Sequence, residues 1–187
     1  MNQILINFLF LLLALGIIFL LVGTLAYGGI LAAPWVPLRK KDVKRALALA
    51  RLKPGEALYD LGSGDGRIII AAGKDFGAKA IGYEVAFLPY LYSYVKILIM
   101  GLYGNVSVKY KNFFKEDLSG ADVIISFLLP RAMITLKEKY IRELKPGTRI
   151  VSCVWLIPGW IPELIDKPSK NDVKIYLYIL KDSTVQQ

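Results

Sequence analysis

The chain has 187 residues, enough for one folded domain, and its formal net charge is +9. It has no histidine and one cysteine, Cys153, which excludes a histidine general base, an internal disulfide and a multi-cysteine zinc site. Cys153 lies in an apolar run and is interpreted as a small buried hydrophobic residue rather than a nucleophile. We therefore predict no metal site.

The first element is a long apolar segment. Residues 4–31 carry no charge and exceed the about 20 apolar residues that a helix needs to cross a bilayer. They lack the basic start of a secretory signal peptide and run past the usual length of its apolar core. We predict an uncleaved membrane anchor over residues 1–33, with a cleaved signal peptide as the alternative.

A basic cluster follows the apolar segment. Residues 39–45, RKKDVKR, contain five basic residues out of seven. Positive charge beside a single span marks its cytoplasmic side, so we predict a single-pass protein of the cell (inner) membrane with a cytoplasmic domain. The same charges favour anionic headgroups, and nucleic acid is the weaker alternative partner. We assign residues 34–46 to a basic juxtamembrane segment and the start of the first helix, and residues 47–187 to the folded domain.

Helical and strand-like patterns alternate from residue 42 onward. The first helix has one apolar face, formed by Val43, Ala46, Leu47, Ala50 and Leu52. Buried strands are predicted at 57–61, 80–85, 106–110, 122–129, 149–157 and 173–180, and helices at 66–75, 87–102 and 131–144. Residues 158–172 are interpreted as a proline-rich connection.

This alternation predicts an α/β fold with a mostly parallel, doubly wound, Rossmann-like sheet behind one N-terminal transmembrane helix. Ligands of such sheets bind beyond the carboxyl ends of the strands. The functional residues are therefore expected just after residues 61, 85, 110, 129 and 157.

The helix within residues 87–104 is unusually apolar, with Lys96 as its one charge. The spacing predicts a core stripe of Leu91, Val95, Leu98 and Leu102 and an outward face of Tyr90, Tyr94, Ile97 and Met100. We predict that the outward face contacts the bilayer interface or the anchor helix. Burial under another helix and a second membrane span are the alternatives.

A glycine loop follows the strand at 57–61. Its sequence, from Asp60 to Gly66, is DLGSGDG. Gly62 and Gly64 lie between the two acids, Asp60 and Asp65, and Gly66 directly follows Asp65. Two carboxylates disfavour an anion and favour a ligand with an ammonium or sulfonium group. Glu84, 24 residues after Asp60, ends the next strand, where an acid holds ribose hydroxyls in nucleotide-binding α/β folds. The pattern favours S-adenosylmethionine, with a turn that binds no ligand as the alternative.

Several motifs together resemble one family. They are LKPGEALYDLGSGDGRIIIAAG, GYE, NFF, ADVIISFLLPRAMITLKEKYIRELKPGTRIVSC and PGW, within residues 35–180. The chain is similar to the membrane-anchored protein-lysine methyltransferases, whose mitochondrial members modify the adenine nucleotide translocase and the ATP synthase c-subunit. The absence of an Arg-rich transit peptide favours a prokaryotic member.

The resemblance implies the residues that contact S-adenosylmethionine. They are Asp60, Gly62, Gly64, Asp65, Gly66 and Glu84, with Asn112 and Phe113 near the adenine. Two positions depart from the family pattern: Leu38 stands where Thr is frequent, and Ala86 where Asn is frequent.

The expected activity is S-adenosylmethionine-dependent methylation of lysine on a membrane protein. Methylation of a membrane lipid or quinone and a non-catalytic cofactor-binding module are the alternatives. The fourth strand ends in SFLLP, an apolar slot that suits a desolvated amine, and no general base is nominated. Ser126, Trp155 and Trp160 are candidates to line this slot, although packing in the core explains each of them as well.

Overall fold

The computed structural model describes residues 2–33 and 36–181. Its helices are α1 (Gln3–Leu31), α2 (Lys40–Leu49), α3 (Arg67–Phe76), α4 (Phe87–Ile99) and α5 (Pro130–Glu143), with a short 3-10 helix at Phe113–Lys115. Its strands are β1 (Ala57–Leu61), β2 (Lys79–Glu84), β3 (Val106–Tyr110), β4 (Val123–Ser126), β5 (Arg149–Cys153), β6 (Leu164–Asp166) and β7 (Ile175–Ile179). The predicted segments 34–46 and 47–187 include residues 34, 35 and 182–187, which lie outside the described part. Their boundary at residue 46 falls inside α2.

The sheet has seven strands in the order β3-β2-β1-β4-β5-β7-β6. The five strands from β3 to β5 are parallel, and β7 is antiparallel to both β5 and β6. This confirms the predicted mostly parallel, Rossmann-like fold. The chain order reverses between β1 and β4, and their register pairs Leu61 with Ser126, so a crevice opens beyond these two residues.

Two apolar layers cover the sheet. One layer joins α2, α3 and α4 to the sheet through residues such as Leu47, Ile69 and Ile97. The other joins α5 and the end of α1 to the opposite face and includes Ala32 and Met133. Successive residues of a strand point to opposite faces of the sheet. Because both faces are covered by an apolar layer, strand residues of either orientation are mostly apolar and the strands are nearly continuous apolar runs in the sequence. The predicted apolar face of α2 is buried as expected.

Three strands are shorter than predicted, and one was missed. β7 covers Ile175–Ile179 of the predicted residues 173–180. β4 ends at Ser126, and three residues lead from it to Pro130, where α5 begins. β5 ends at Cys153 because Val154 has a φ of 73°, which a strand does not accept. β6 lies within the predicted connection, and three residues are too few to give a strand pattern.

Helix α1 confirms that the predicted apolar segment is one continuous helix. Gln3–Ile30 is long and apolar enough to cross a membrane, with a mean hydropathy of 3.0 in its most apolar window, and that window is not buried in the protein. The Asn2 side chain accepts a hydrogen bond from the Ile4 amide at the helix start. The carboxyl-terminal end of α1 contacts the domain, and Ala32, directly after the helix, is 5% exposed.

The basic cluster is largely paired with acids of the domain. Asp42 is 1% exposed and lies between Arg39 at 2.6 Å and Arg45 at 2.7 Å. Arg45 also pairs with Asp166, and Lys41 lies 2.5 Å from Asp172. Arg39 also lies 3.3 Å from Asp172, so three of the five basic residues tie α2 to the domain in addition to any role beside a membrane.

The predicted faces of α4 are wrong. The buried residues of α4 are Pro89, Ser93 and Ile97, whereas Leu91, Val95 and Leu98, predicted as core, are 41–46% exposed. Of the predicted outward residues, Tyr94 and Met100 are exposed, Tyr90 is half-buried and Ile97 is buried. Both faces are apolar, so hydrophobic spacing alone did not distinguish them. Only the position of the helix on β3 decides which face is covered.

Candidate active site

The glycine loop connects β1 to α3 at the reversal of strand order. Gly62, Gly64 and Gly66 all have positive φ angles, of 82°, 54° and 74°. The amides of Gly62 and Ser63 donate to the carbonyl of Tyr83 at 2.9 and 3.0 Å, which fastens the loop to β2. A Cβ on Gly66 would come within 2.1 Å of the Ser93 Oγ. Gly66 is therefore required both by its backbone angle and by the close approach of α4.

Asp60 lies at the carboxyl end of β1 and is 1% exposed. Within residues 2–33 and 36–181, its Oδ2 has no hydrogen-bond partner. Burial, together with the charges of Glu84 and Asp65, raises the pKa of Asp60 well above its ordinary value. A buried carboxylate oxygen without a partner is costly, so this atom is suited to a cationic donor supplied by a ligand.

Asp65 differs from Asp60 because it has a partner within the chain. Its carboxylate pairs with Arg67, with an Nη2–Oδ2 distance of 2.6 Å. Burial raises the pKa of Asp65, but the hydrogen bonds and charge of Arg67 outweigh this effect and hold the pKa below its ordinary value. The two carboxylates that flank the loop are therefore not equivalent, and only Asp60 is left for a cation.

Glu84, at the end of β2, binds the glycine loop and the residues that follow β2. Its Oε2 accepts from the Gly64 amide at 2.8 Å, and its Oε1 accepts from the amides of Val85 and Ala86 at 2.8 and 2.7 Å. A carboxylate accepts about four hydrogen bonds, so one position remains for a ligand hydroxyl. Glu84 therefore links the glycine loop to the start of α4.

Asn112 and Phe113, just beyond β3, face different spaces. Phe113 is buried and lines the same crevice as Asp60 and Glu84. Asn112 instead caps the short 3-10 helix, where its side chain accepts from the Phe114 amide at 3.0 Å. It lines a groove of about 390 Å³ against α1 rather than the crevice.

We call the crevice the cofactor cleft. It is lined by Gly28, Ala32, Ala33, Val36, Pro37, Leu38, Asp60, Gly62, Ser63, Gly64, Asp65, Arg67, Ile68, Tyr83, Glu84, Val85, Ala86, Phe113, Phe127 and Leu128. Leu38 and Ala86, the two departures from the family pattern, are both in its wall. The prediction missed the contribution of α1, whereas Phe127 and Leu128 belong to the predicted apolar slot SFLLP. The small residues that end the apolar segment are the signal of a close contact there.

The three slot candidates lie elsewhere. Ser126 is fully buried, with its Oγ 4.0 Å from the Met133 sulfur. Trp155 is 41% exposed beyond β5, and Trp160 packs on Tyr178 with ring centroids 6.0 Å apart. None of the three is among the residues that line the cofactor cleft in the described part of the chain.

The end of α1 is tied to the rim of the cofactor cleft. The Leu129 amide donates to the Ala32 carbonyl at 3.2 Å, and the Arg131 guanidinium donates to the Gly29 carbonyl. Arg67, which pairs with Asp65, also donates to the carbonyl of Leu38. Residues on both sides of the cleft thus hold the segment that connects α1 to α2.

The donor set of the cleft fits S-adenosylmethionine. Asp60 Oδ2 suits the α-ammonium group, Glu84 has room for a ribose hydroxyl, and Phe113 supplies an apolar surface. The space enclosed in the cofactor cleft is about 70 Å³, smaller than the ~300–1,000 Å³ of typical small-molecule sites.

The chain is similar to known methyltransferases. Residues 60–164 match the ANTKMT methyltransferase domain family. A protein-lysine N-methyltransferase from Saccharolobus islandicus (strain REY15A) is 41% identical over 150 residues, which cover 79% of this chain and 93% of that protein. The human ATP synthase c-subunit lysine N-methyltransferase is 33% identical over 76% of this chain, and the match spans 60% of its length. The mouse adenine nucleotide translocase lysine N-methyltransferase is 34% identical over 71% of this chain and 57% of its own length.

Solved structures share the fold. An RNA methyltransferase from Salinibacter ruber, in complex with S-adenosyl-L-homocysteine, superposes with a TM-score of 0.76 at 31% identity, over 79% of this chain and 95% of that chain. An S-adenosylmethionine-dependent methyltransferase from Geobacter sulfurreducens, with the same ligand, has a TM-score of 0.56 at 21% identity, over 63% of this chain and 49% of that chain, which indicates the fold alone. The chain belongs to the ANTKMT methyltransferase family and is an S-adenosylmethionine-dependent methyltransferase.

Proposed function

We propose that this methyltransferase modifies a lysine side chain of a protein embedded in the membrane that α1 spans. The lysine acceptor is supported by the relatives of 30 to 41% identity, which are named lysine N-methyltransferases. The membrane location of the target is supported by the relatives that are named for the ATP synthase c-subunit and for the adenine nucleotide translocase.

One observation carries the proposal: the end of the apolar helix is also a wall of the cofactor cleft. Gly28, Ala32 and Ala33 line the cleft beside Leu128. The cleft therefore opens where α1 leaves the membrane, and a tether of this kind raises the effective concentration of targets in the same membrane. A lysine close to the headgroups is the acceptor that this position favours.

We assign cofactor contacts to Asp60, to the loop Gly62–Gly64, to Glu84 and to Phe113. Asp60 is assigned to the ammonium group and Glu84 to the ribose. Asp65 and Gly66 are assigned to the structure of the loop and not to cofactor contacts. Asp65 is paired with Arg67, and Gly66 leaves the space that Ser93 of α4 occupies. Asn112 is assigned to the groove beside α1.

When bound, S-adenosylmethionine supplies an electrophilic methyl group for an in-line displacement. The chain has to deliver an uncharged amine and exclude water. Phe127 and Leu128 form an apolar wall that disfavours an ammonium ion and so lowers the pKa of an entering lysine. Burial raises the pKa of Tyr83 to about 12, so its hydroxyl stays protonated at neutral pH and is not a base. Desolvation of the acceptor, rather than a resident base, is the proposed source of the free amine.

The domain is proposed to face the cytoplasm of a prokaryotic cell. The positive charge after α1 supports this orientation, since basic residues that flank a single span stay on the cytoplasmic side. Lys40 and Lys44 are the exposed members of the cluster that remain for anionic headgroups.

The test is an incubation of purified full-length protein with tritium-labelled methyl donor and membranes from cells that lack this gene. We expect label in a protein band, on lysine, with wild-type protein and with the matched variant Asp75→Ala. Asp75 is an exposed acid on α3 that does not line the cofactor cleft, whereas Asp60→Ala should abolish the label. Label in an organic extract would instead assign the activity to a lipid or quinone.

RNA is the second candidate acceptor, because the Salinibacter ruber structure of 31% identity is described as an RNA methyltransferase and this chain carries a net charge of +9. A parallel incubation with total RNA separates the two. Label in RNA, with salt-sensitive binding, would replace the lysine proposal. No label in any fraction, despite measured cofactor binding, would favour a non-catalytic binding module.

A further inference from the structure

Helix α4 carries a continuous exposed apolar stripe. The stripe consists of Leu88, Leu91, Tyr92, Val95, Leu98 and Ile99, which are 40–80% exposed in the described part of the chain. Their spacing of three and four residues places them on one helical face. The opposite face, with Ser93 and Ile97, is buried against the domain. A stripe of this size on an enzyme surface requires a covering partner.

The length of α1 indicates where this surface lies. α1 has 29 residues and is about 43 Å long, whereas the hydrocarbon core is about 30 Å thick and needs about 20 residues. Counted from Gln3, about 20 residues reach Val22. Tilting α1 brings still more of the helix into the bilayer. The part of the domain that faces α1 near Val22 must therefore lie at the membrane surface.

At this level the domain faces α1 across a groove. Phe19, Leu20, Gly23, Thr24 and Tyr27 of α1 line the groove of about 390 Å³ against Tyr110, Lys111 and Asn112. The first turn of α4 adjoins the same place, since the rings of Phe87 and Tyr90 lie 5.9 and 5.3 Å from the ring of Tyr110. Further along the chain, Gly28 lies against Val85 and Ala86, directly before α4. α4 thus begins within about two helical turns of the point where α1 leaves the hydrocarbon.

We propose that the apolar stripe of α4 lies in the lipid headgroup region and forms a second membrane contact of the enzyme. This inference rests on the proposed placement of α1 across the membrane. The occupant of the stripe is the bilayer itself. Tyr92 and the exposed Tyr103 are of the type enriched at membrane interfaces. Lys96 lies 5.7 Å from the Tyr92 ring and is in position for an anionic headgroup. Two contacts fix the rotation of the domain about α1 and therefore the direction in which the cofactor cleft faces.

The test places an environment-sensitive NBD label on single introduced cysteines of the full-length protein in phosphatidylcholine and phosphatidylglycerol vesicles that contain doxyl-labelled lipid. The native Cys153 is buried and does not compete. The stripe is probed with Leu91→Cys and Leu98→Cys. Ile141→Cys on α5 is the matched control, because Ile141 is 43% exposed and Leu98 46%. Leu13→Cys reports on α1. Thermal unfolding of each variant checks that the fold is retained.

We expect blue-shifted emission and loss of most of the fluorescence at both stripe positions and at residue 13, with water-like emission at residue 141. Stripe labels that behave like residue 141, while residue 13 is quenched, would overturn the α4 contact and leave the anchor intact. Absence of quenching at residue 13 as well would overturn the anchor and this inference with it. Disulfide-linked dimers formed only by the stripe cysteines would assign the face to a second copy of the chain and overturn the lipid contact.

Discussion

At the scale of single residues, the proposed cofactor site contains a buried carboxylate oxygen without a partner in the described part of the chain. Asp60 Oδ2 is unpaired within residues 2–33 and 36–181, whereas Asp65, five residues later, is paired with Arg67. An unpaired buried carboxylate stores unfavourable free energy that a cationic ligand relieves. The difference between these two acids is therefore expected to appear directly in cofactor affinity.

The first prediction concerns Asp60→Asn. Removing one partner of a buried charged pair costs about 2–5 kcal/mol, so the Kd for S-adenosyl-L-homocysteine should rise about 30-fold or more. The cofactor-free variant should keep or raise its Tm, because the variant removes a buried charge at nearly constant size. Titration calorimetry and thermal unfolding measure the two effects. Asp75→Asn is the control, and an equal loss of affinity there would contradict the assignment.

The second prediction concerns pH. The pKa of Asp60 is raised by burial first and then by Glu84 and Asp65, so in the cofactor-free protein Asp60 gains a proton at a higher pH than an ordinary aspartate. Pairing with an ammonium group needs the ionised form. Affinity should therefore weaken as the pH falls through this raised pKa, and the decline should begin above the range of an exposed aspartate. A titration series between about pH 8 and pH 5 measures it, and Asp60→Asn should flatten the profile.

In the cofactor-free protein, the pH dependence of folding stability due to Asp60 is opposite to that of cofactor affinity: stability falls as the pH rises, whereas affinity falls as the pH decreases. The folded-state pKa of Asp60 lies above its unfolded value, so its contribution to stability is complete below the unfolded pKa. That contribution is lost as the pH rises through the folded pKa. Cofactor binding at neutral pH compensates for this loss.

The third prediction concerns Gly66→Ala. The new Cβ would lie 2.1 Å from the Ser93 Oγ, at a φ of 74°. The matched control Gly55→Ala has a φ of 79° with nothing within 4 Å of the Cβ, so it carries only the backbone cost of about 1–2 kcal/mol. Gly66→Ala should destabilise the protein by more than Gly55→Ala in chemical denaturation. Adding Ser93→Ala should restore part of the loss, since a contact of 3.1 Å with the Ser93 Cβ remains. Equal effects of the two glycine variants would argue against the close approach.

At the scale of elements, the important contact is between α1 and the turn that follows β2. A Cβ built on Gly28 lies 3.9 Å from the Cβ of Ala86, within the ~3.5–4.5 Å found in disulfides. This distance permits a direct test that α1 packs against the cofactor cleft.

The fourth prediction is that the double variant Gly28→Cys and Ala86→Cys forms an internal disulfide in the full-length protein under mild oxidation. Alkylation with a maleimide polymer after denaturation should then find only Cys153 reactive. The control pair Gly16→Cys and Ala86→Cys should stay reduced, because Gly16 has nothing within 4 Å. A disulfide in both pairs, or in neither, would mean that α1 has no defined position on the domain.

At the scale of the whole molecule, the apolar helix α1, proposed as a membrane anchor, and the methyltransferase domain share one site. Gly28, Ala32 and Ala33 belong to the apolar helix and its end, yet they line the cofactor cleft. The anchor is therefore expected to act on catalysis as well as on location.

The fifth prediction tests this coupling by inserting about ten Gly and Ser residues after Ala33, a linker with a mean span of about 18 Å. The protein should remain in the membrane fraction, and methylation of the membrane target should fall, because the end of α1 no longer fixes the direction of the cleft. The same insertion after Lys170, in an exposed loop, should leave methylation unchanged. Full activity of the first variant in the labelled-donor assay would show that the anchor only retains the enzyme at the membrane.

The sequence by itself determined the features that depend on local chemistry. Apolar runs between helices predicted the mostly parallel sheet, and the loop from Asp60 to Gly66 followed by Glu84 predicted the cofactor. These signals are local because a strand, a turn and a helix start are each encoded within a few neighbouring residues.

Only the tertiary structure decided which of several chemically similar groups are used. It pairs Asp65 with Arg67 and, within the described ranges, leaves Asp60 Oδ2 unpaired, and it directs Asn112 into the groove beside α1. It also buries Ile97, which was predicted to face outward, and exposes Leu91, Val95 and Leu98, which were predicted as core. The physical reason is common to these cases: each depends on contacts between residues distant in the chain. Hydrophobic spacing and charge, read along the sequence, do not contain that information.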